Sequence, residues 1–313
     1  MAVLLIIIGL GLLVIGGDYL VKGAAGIALK FDMPAMLVGM TIVAIGTSAP
    51  ELVVSVQAAL AGKPDIAIGN VVGSNIANVA LILGITVIIF PIAVRKTSLQ
   101  FDWVAMMLAS IAFYVLALDG SISRLEGVFM VLGLVAFISL SFRIASKKKA
   151  QAVASDVPLD AKTKATWLLL VFVGAGSVAL IFGARWFLEG AEIVAKNFGI
   201  SDRVIAVTLV AFGTSVPELA TSVIAAFKKH EDISLGNIIG SNLFNLLSII
   251  GITAAIMPIA VSDAIMSRDV FWMLGTSFAI LPLSVIGYRI NRFSGILLLC
   301  SYIVFVYVML STP

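Results

Sequence analysis

Two hexapeptides hold the residues best suited to chemistry in this chain: GTSAPE at 46–51 and GTSVPE at 213–218. Each ends in a glutamate, Glu51 or Glu218, set in a strongly apolar stretch with no lysine or arginine beside it. A charged carboxylate at mid-membrane costs ~2.5–3.5 kcal/mol on insertion scales. Two of them call for a counter-charge, and a bound cation is the natural one. The neighbouring residues suit that task. Proline removes a donor and clashes with the carbonyl a turn earlier. Carbonyls near Ala44 and Thr47 are therefore expected to be freed for a hard cation, and the hydroxyls of Thr47 and Ser48 add further oxygens. The second copy offers Ala211, Thr214, Ser215 and Glu218. A plainer reading stands beside this one. Ser48 and Glu51 also fit the capping box that opens a helix, and small and hydroxylated residues are common where membrane helices touch. Recurrence of the motif in two apolar segments favours the ion.

A second motif follows each hexapeptide: GNVVGSNIAN at 69–78 and GNIIGSNLFN at 236–245. Asn70, Ser74 and Asn78 are spaced i, i+4, i+8 and form one polar stripe on a helix, as do Asn237, Ser241 and Asn245. Gly69 and Gly73 would let another helix come close. Ser74, Asn78, Ser241 and Asn245 would complete an oxygen-lined cavity; the alternative is interhelical hydrogen bonding through asparagine. Asn75 and Asn242 point off the stripe and read as structural. Every candidate ligand is an oxygen, which selects sodium, calcium, magnesium or manganese over zinc or copper. Calcium accepts about 6–8 oxygens in flexible geometry, and two glutamates would neutralise one calcium ion.

Such residues need a frame, and composition says which. Of 313 residues 61% are hydrophobic and 12% charged, against about 25% charged in a soluble domain. The chain is expected to be an all-α integral membrane protein. Ten apolar segments can be placed, at about 2–27, 33–61, 66–91, 101–118, 124–143, 166–195, 202–227, 233–259, 269–287 and 293–311. The first lacks a basic leading region and a small-residue cleavage site, so it reads as a membrane helix and not as a removable signal. Adding 167 to a residue number maps one half onto the other, with 27 identities in the 51 positions of 41–91 against 208–258. Five spans per half is an odd number, so the second copy lies inverted. The expectation is ten transmembrane helices as two inverted five-helix repeats, 1–143 and 166–313, each with broken helices, joined by a polar linker at 144–165. Inverted repeats of this kind place their site at the repeat interface near the midplane.

With the linker in the cytoplasm, cytoplasmic connections hold fourteen basic residues and the opposite side five. This positive-inside bias puts both termini outside. A net charge of +3 makes nucleic acid a poor partner; lipid is the expected surround, with no obligate protein partner and no cofactor. The single Cys300 precludes an internal disulfide, and the lone His230, in KKHED, reads as a solvated loop residue. The offset also matches Asp18 with Arg185. They read either as a pair within the bundle or, preferably, as independent ends reaching for the interface.

The paired motifs resemble the two alpha-repeats of the sodium/calcium exchangers, and the resemblance covers essentially the whole chain. It implies calcium ligands at Glu51, Glu218 and the carbonyls of Thr47 and Thr214. It implies sodium ligands at Ala44, Ser48, Ser74, Ala211, Ser215 and Ser241, together with the shared glutamates and threonines. Asn78 and Asn245 match two polar positions beside the central site. Some relatives carry aspartate at one of them, potassium-dependent exchangers among them, so asparagine at both argues against potassium co-transport. The short linker suggests a minimal, prokaryote-type member working by alternating access, with the first and sixth segments sliding against the core. The leading function is a sodium-driven calcium antiporter; rivals are a proton/calcium antiporter and a cation channel. No second acid–base partner and no nucleophile–base pair is visible, so an enzyme is not expected.

Overall fold

The computed structural model describes residues 1–147, 165–198 and 213–311. Its helices follow the apolar segments, because in lipid a helix satisfies its own backbone groups. The first half supplies α1 (Ala2–Lys30), α2 (Ala35–Thr47), α3 (Ala49–Leu60), α4 (Pro64–Ile89), α5 (Ser98–Asp119) and α6 (Arg124–Lys147). The second supplies α7 (Thr166–Asn197), α8 (Val216–Phe227), α9 (Glu231–Ile256), α10 (Val270–Val285) and α11 (Arg292–Ser311). With α2 and α3 counted as one broken span, each half supplies five helical segments among the described residues. Up to eight of the ten are long and apolar enough to cross a membrane, and α8, at 12 residues, follows the stretch 199–212 that lies outside the described residues. The chain bends by 50° between α2 and α3. Pro50, Pro64 and Pro217 each sit in the first turn of a helix, where the missing N–H costs no bond.

α4 and α9 form the centre. In their apolar stretches 78% and 83% of residues are buried, against 17–33% in α1, α5, α6, α7 and α11. Only helices so enclosed can carry repeated asparagine and serine away from lipid. Both also widen into π-type turns, at Ala77–Leu83 and Asn245–Ile250, a distortion that recurs at functional sites. α1 and α7 pack along one another and lie against α2 and α8. Their seam is glycine: Gly9, Gly16 and Gly23 recur every seven residues, as do Gly176, Gly183 and Gly190. A Cβ on Gly16 would stand 2.8 Å from the Gly176 carbonyl, and one on Gly183 2.9 Å from the Leu13 nitrogen. The two backbones therefore touch.

The halves are laced together. β1 (Ile92–Ala93) pairs antiparallel with β4 (Arg289–Ile290), and β2 (Ser121–Ile122) with β3 (Ile259–Ala260). Each pair joins one half to the other. Gly120 and Gly287 adopt left-handed conformations (φ 83° and 72°) just before β2 and β4, which glycine reaches without a Cβ clash. Glycine again closes the outer contacts. Gly84 on α4 meets Gly295 on α11, and Gly127 on α6 meets Gly251 on α9.

Asp18 bonds Lys22, at 2.6 Å, and Lys228 at the end of α8, while Arg185 is exposed. The preferred reading of independent ends fits this placement, and an Asp18–Arg185 pair does not. Asp18→Asn and Arg185→Gln are expected to add in a double variant. Non-additivity in unfolding stability beyond about 0.5 kcal/mol would show otherwise. His230 is half-buried before α9 rather than solvated, and burial, then the charge of Lys228, push it below the ordinary imidazole range.

Candidate ion site

The two glutamates meet at the centre of the bundle. Glu51 lies in the first turn of α3 and Glu218 in the first turn of α8. Both are 1% exposed, and Ser48, three residues before Glu51, reaches across to the Glu218 carboxylate. The capping reading fails here. Neither Ser48 nor Ser215 makes a side-chain cap bond. Ser48 Oγ instead crosses to the other half and donates to Glu218 Oε1 at 2.8 Å. A true capping box exists elsewhere in the chain, where Ser123 and Glu126 bond reciprocally at the start of α6.

A second set of bonds ties each glutamate's helix to the next and to the opposite half. Asn70 Nδ2 donates to Ser55 Oγ at 3.0 Å and to the Glu51 carbonyl at 3.3 Å. Asn237 Nδ2 donates to Ser222 Oγ at 3.0 Å and to the Glu218 carbonyl at 3.5 Å. Their oxygens accept threonine hydroxyls from the other half: Thr47 on Asn237 at 3.3 Å and Thr214 on Asn70 at 3.5 Å. The stripe was legible in the sequence, but this bracing role was not. Ser55 and Ser222 were missed altogether. The signal was their identity across the offset, one turn beyond each glutamate.

Ala44, Thr47, Ser48, Ser74, Asn78, Ser215, Ser241 and Asn245 are all buried, and Thr214 is half-buried. Ala211 lies outside the described residues. The Ala44 carbonyl keeps its helical partner, accepting the Ser48 amide at 2.9 Å. Proline releases the carbonyl four residues back, which for Pro50 is Gly46 rather than Ala44. The Thr47 hydroxyl also lies 3.3 Å from the Ala44 carbonyl, so that oxygen faces a donor at each of its two lone pairs.

Among the described residues, ten buried side-chain polar atoms lack a hydrogen-bond partner. Seven belong to the two motifs: Glu51 Oε2, Ser74 Oγ, Asn78 Oδ1, Ser215 Oγ, Glu218 Oε2, Ser241 Oγ and Asn245 Oδ1. Buried polar groups are normally paired, so this concentration of oxygens marks a place built for something else. No ion pair involves either glutamate, and no trio of His, Cys, Asp or Glu converges, among the described residues. Two acids amid hydroxyl and carboxamide oxygens suit a hard cation and not a thiophilic metal.

An inverted-repeat bundle whose facing motifs bury two acids among unpaired oxygens has the build of a secondary ion transporter. The chain belongs to the sodium/calcium exchanger family: the family model described as "Sodium/calcium exchanger protein" matches residues 1–143 and 167–311. The putative antiporter CaxA of Alkalimonas amylolytica is 37% identical, with 99% of each chain aligned. The sodium/calcium exchanger MaX1 of Methanosarcina acetivorans is 33% identical over 98% of this chain and 97% of its own. A solved structure of the sodium-calcium exchanger NCX_Mj matches with a TM-score of 0.83 at 33% identity, covering 98% of both chains.

Proposed function

We propose that this chain is a multi-pass membrane antiporter that exchanges sodium for calcium by alternating access and is electrogenic, with calcium extrusion as its physiological direction. The observation that carries the reading is the meeting of Glu51 and Glu218, one from each half, buried with an unpaired oxygen on each. Their two charges match one divalent ion or two monovalent ones, so sodium and calcium compete for overlapping oxygens. Calcium takes Glu51, Glu218 and the carbonyls of Thr47 and Thr214. Sodium ions use Ala44, Ser48, Ser74, Ala211, Ser215 and Ser241 with the shared glutamates and threonines, and Asn78 and Asn245 lie beside the central position.

In this reading the repeats span 1–143 and 166–313. The linker at 144–165 faces the cytoplasm and both termini face outward, as the basic residues argue. The chain works without a cofactor, enzymatic step or obligate protein partner. Each net charge moved couples to ~2.3 kcal/mol per 100 mV, so an inside-negative potential drives calcium out when more than two sodium ions enter per calcium.

Vesicles test this directly. Calcium uptake into sodium-loaded proteoliposomes is expected to require the outward sodium gradient and to respond to an imposed potential. Uptake driven equally by a pH gradient without sodium would point to a proton antiporter. Calcium flux indifferent to any counter-ion would point to a channel.

A further inference from the structure

We propose that Asn75 and Asn242 are positioning residues: each fixes, across the junction of the halves, which end of a partner carboxamide is left for the ion. A carboxamide has a donor end and an acceptor end, and only the acceptor serves a cation. Asn245 Nδ2 donates to Asn75 Oδ1 at 3.0 Å, and Asn78 Nδ2 donates to Asn242 Oδ1 at 3.1 Å. With both nitrogens held, the free ends are Asn245 Oδ1 and Asn78 Oδ1. Both are buried and without a partner among the described residues.

The anchors are themselves directed. Asn75 Nδ2 donates to the Asn242 carbonyl at 3.3 Å and approaches Met273 Sδ at 3.7 Å. Asn242 Nδ2 approaches Met106 Sδ at 3.4 Å. A backbone carbonyl only accepts, so Asn75 must turn its nitrogen toward α9 and its oxygen toward Asn245. Turned over, it would set two NH₂ groups against each other and push a donor toward the cation. The orientation thus passes from the α9 backbone through Asn75 to Asn245, and a near mirror of it runs through Asn242 to Asn78. Asn75 and Asn242 are each 1% exposed and act through their neighbours.

This inference rests on the reading of Asn78 and Asn245 as oxygens of the ion site, and one cycle of variants separates the two. Asn245→Ala, Asn75→Ser and the double variant are reconstituted in vesicles. The calcium KM of sodium-driven uptake is measured, together with the calcium-induced thermal shift of the purified protein. Asn75→Ser is expected to raise KM roughly 10-fold, as loss of a group that orients a metal ligand does, and to shrink the thermal shift. The double variant is expected to match Asn245→Ala within about twofold, because a residue acting through another adds nothing once that one is gone. A wild-type KM in Asn75→Ser, or factors that multiply in the double variant, would overturn the positioning role while leaving the site intact. A wild-type KM in Asn245→Ala would instead remove that residue from the site, and the inference with it. If Asn75→Ser does not insert, Asn242→Ser with Asn78→Ala gives the mirrored cycle, read by the same outcomes.

Discussion

Glu218→Gln is expected to abolish sodium-driven calcium exchange, and Glu51→Gln to do the same. Glutamine keeps the shape of the side chain, and its Oε1 can still accept the Ser48 hydroxyl that bonds Glu218 at 2.8 Å. What it removes is half of the negative charge at a buried centre. Breaking one member of a buried charge pair costs ~3–5 kcal/mol. Exchange is therefore expected to fall by at least ~100-fold, since each 1.4 kcal/mol is about tenfold. Calcium binding by calorimetry should fall with it, while the purified variant stays monodisperse, because no protein cation depends on the lost charge among the described residues. Wild-type uptake in either variant would overturn the site.

Gly240→Val is expected to destabilise the protein and silence transport from outside the ion's ligand shell. A Cβ on Gly240 would stand 2.4 Å from Met40 Cα and 2.5 Å from the Met40 carbonyl oxygen, and one on Gly236 2.5 Å from the Met36 carbonyl. These neighbours are backbone, so no side chain can swing aside. α2 would have to move off α9, and α2 ends in Thr47, whose hydroxyl reaches Asn237 at 3.3 Å. Overpacking a close interface costs ~1–3 kcal/mol, and a shift of α2 carries Ser48 away from Glu218. The readouts are a lowered unfolding temperature and lost calcium uptake. Gly11→Ala is the control, since no described atom lies within 4 Å of its Cβ position. Equal stability in the two variants would show that the α2–α9 contact tolerates a side chain.

Much of this architecture was legible in the sequence because lipid imposes a simple rule on chain segments. The ten apolar runs, the offset between halves and the two polar motifs follow from residue type and spacing alone. Pairing across the halves did not. Ile92 and Ile259 are related by the offset, as are Gly84 and Gly251, so each half presents nearly the same partners. Pattern alone therefore cannot say whether a strand or glycine meets its own half or the other. The same degeneracy hid the Ser48–Glu218 bond: a serine three residues before a glutamate fits a local cap as well as a long-range contact. Asn75 and Asn242 looked structural because they leave the stripe. That placement is what lets them reach the opposite helix, but residue type and spacing do not say whose carboxamide they hold.

The lacing of the halves has a consequence for how such a chain arises. β1 with β4 answers β2 with β3; Gly84 against Gly295 answers Gly251 against Gly127; Asn75 on Asn245 answers Asn242 on Asn78. Each of these three contacts has its reciprocal, as across a two-fold axis lying in the membrane plane, whereas the Ser48–Glu218 bond has none. A polypeptide of half this length, inserted in both directions, would find these partners in an upside-down copy of itself. The present molecule has the geometry of such an antiparallel homodimer fused into one chain, and small departures, such as the different anchors of Asn75 and Asn242, are the freedom that fusion gives two once-identical subunits.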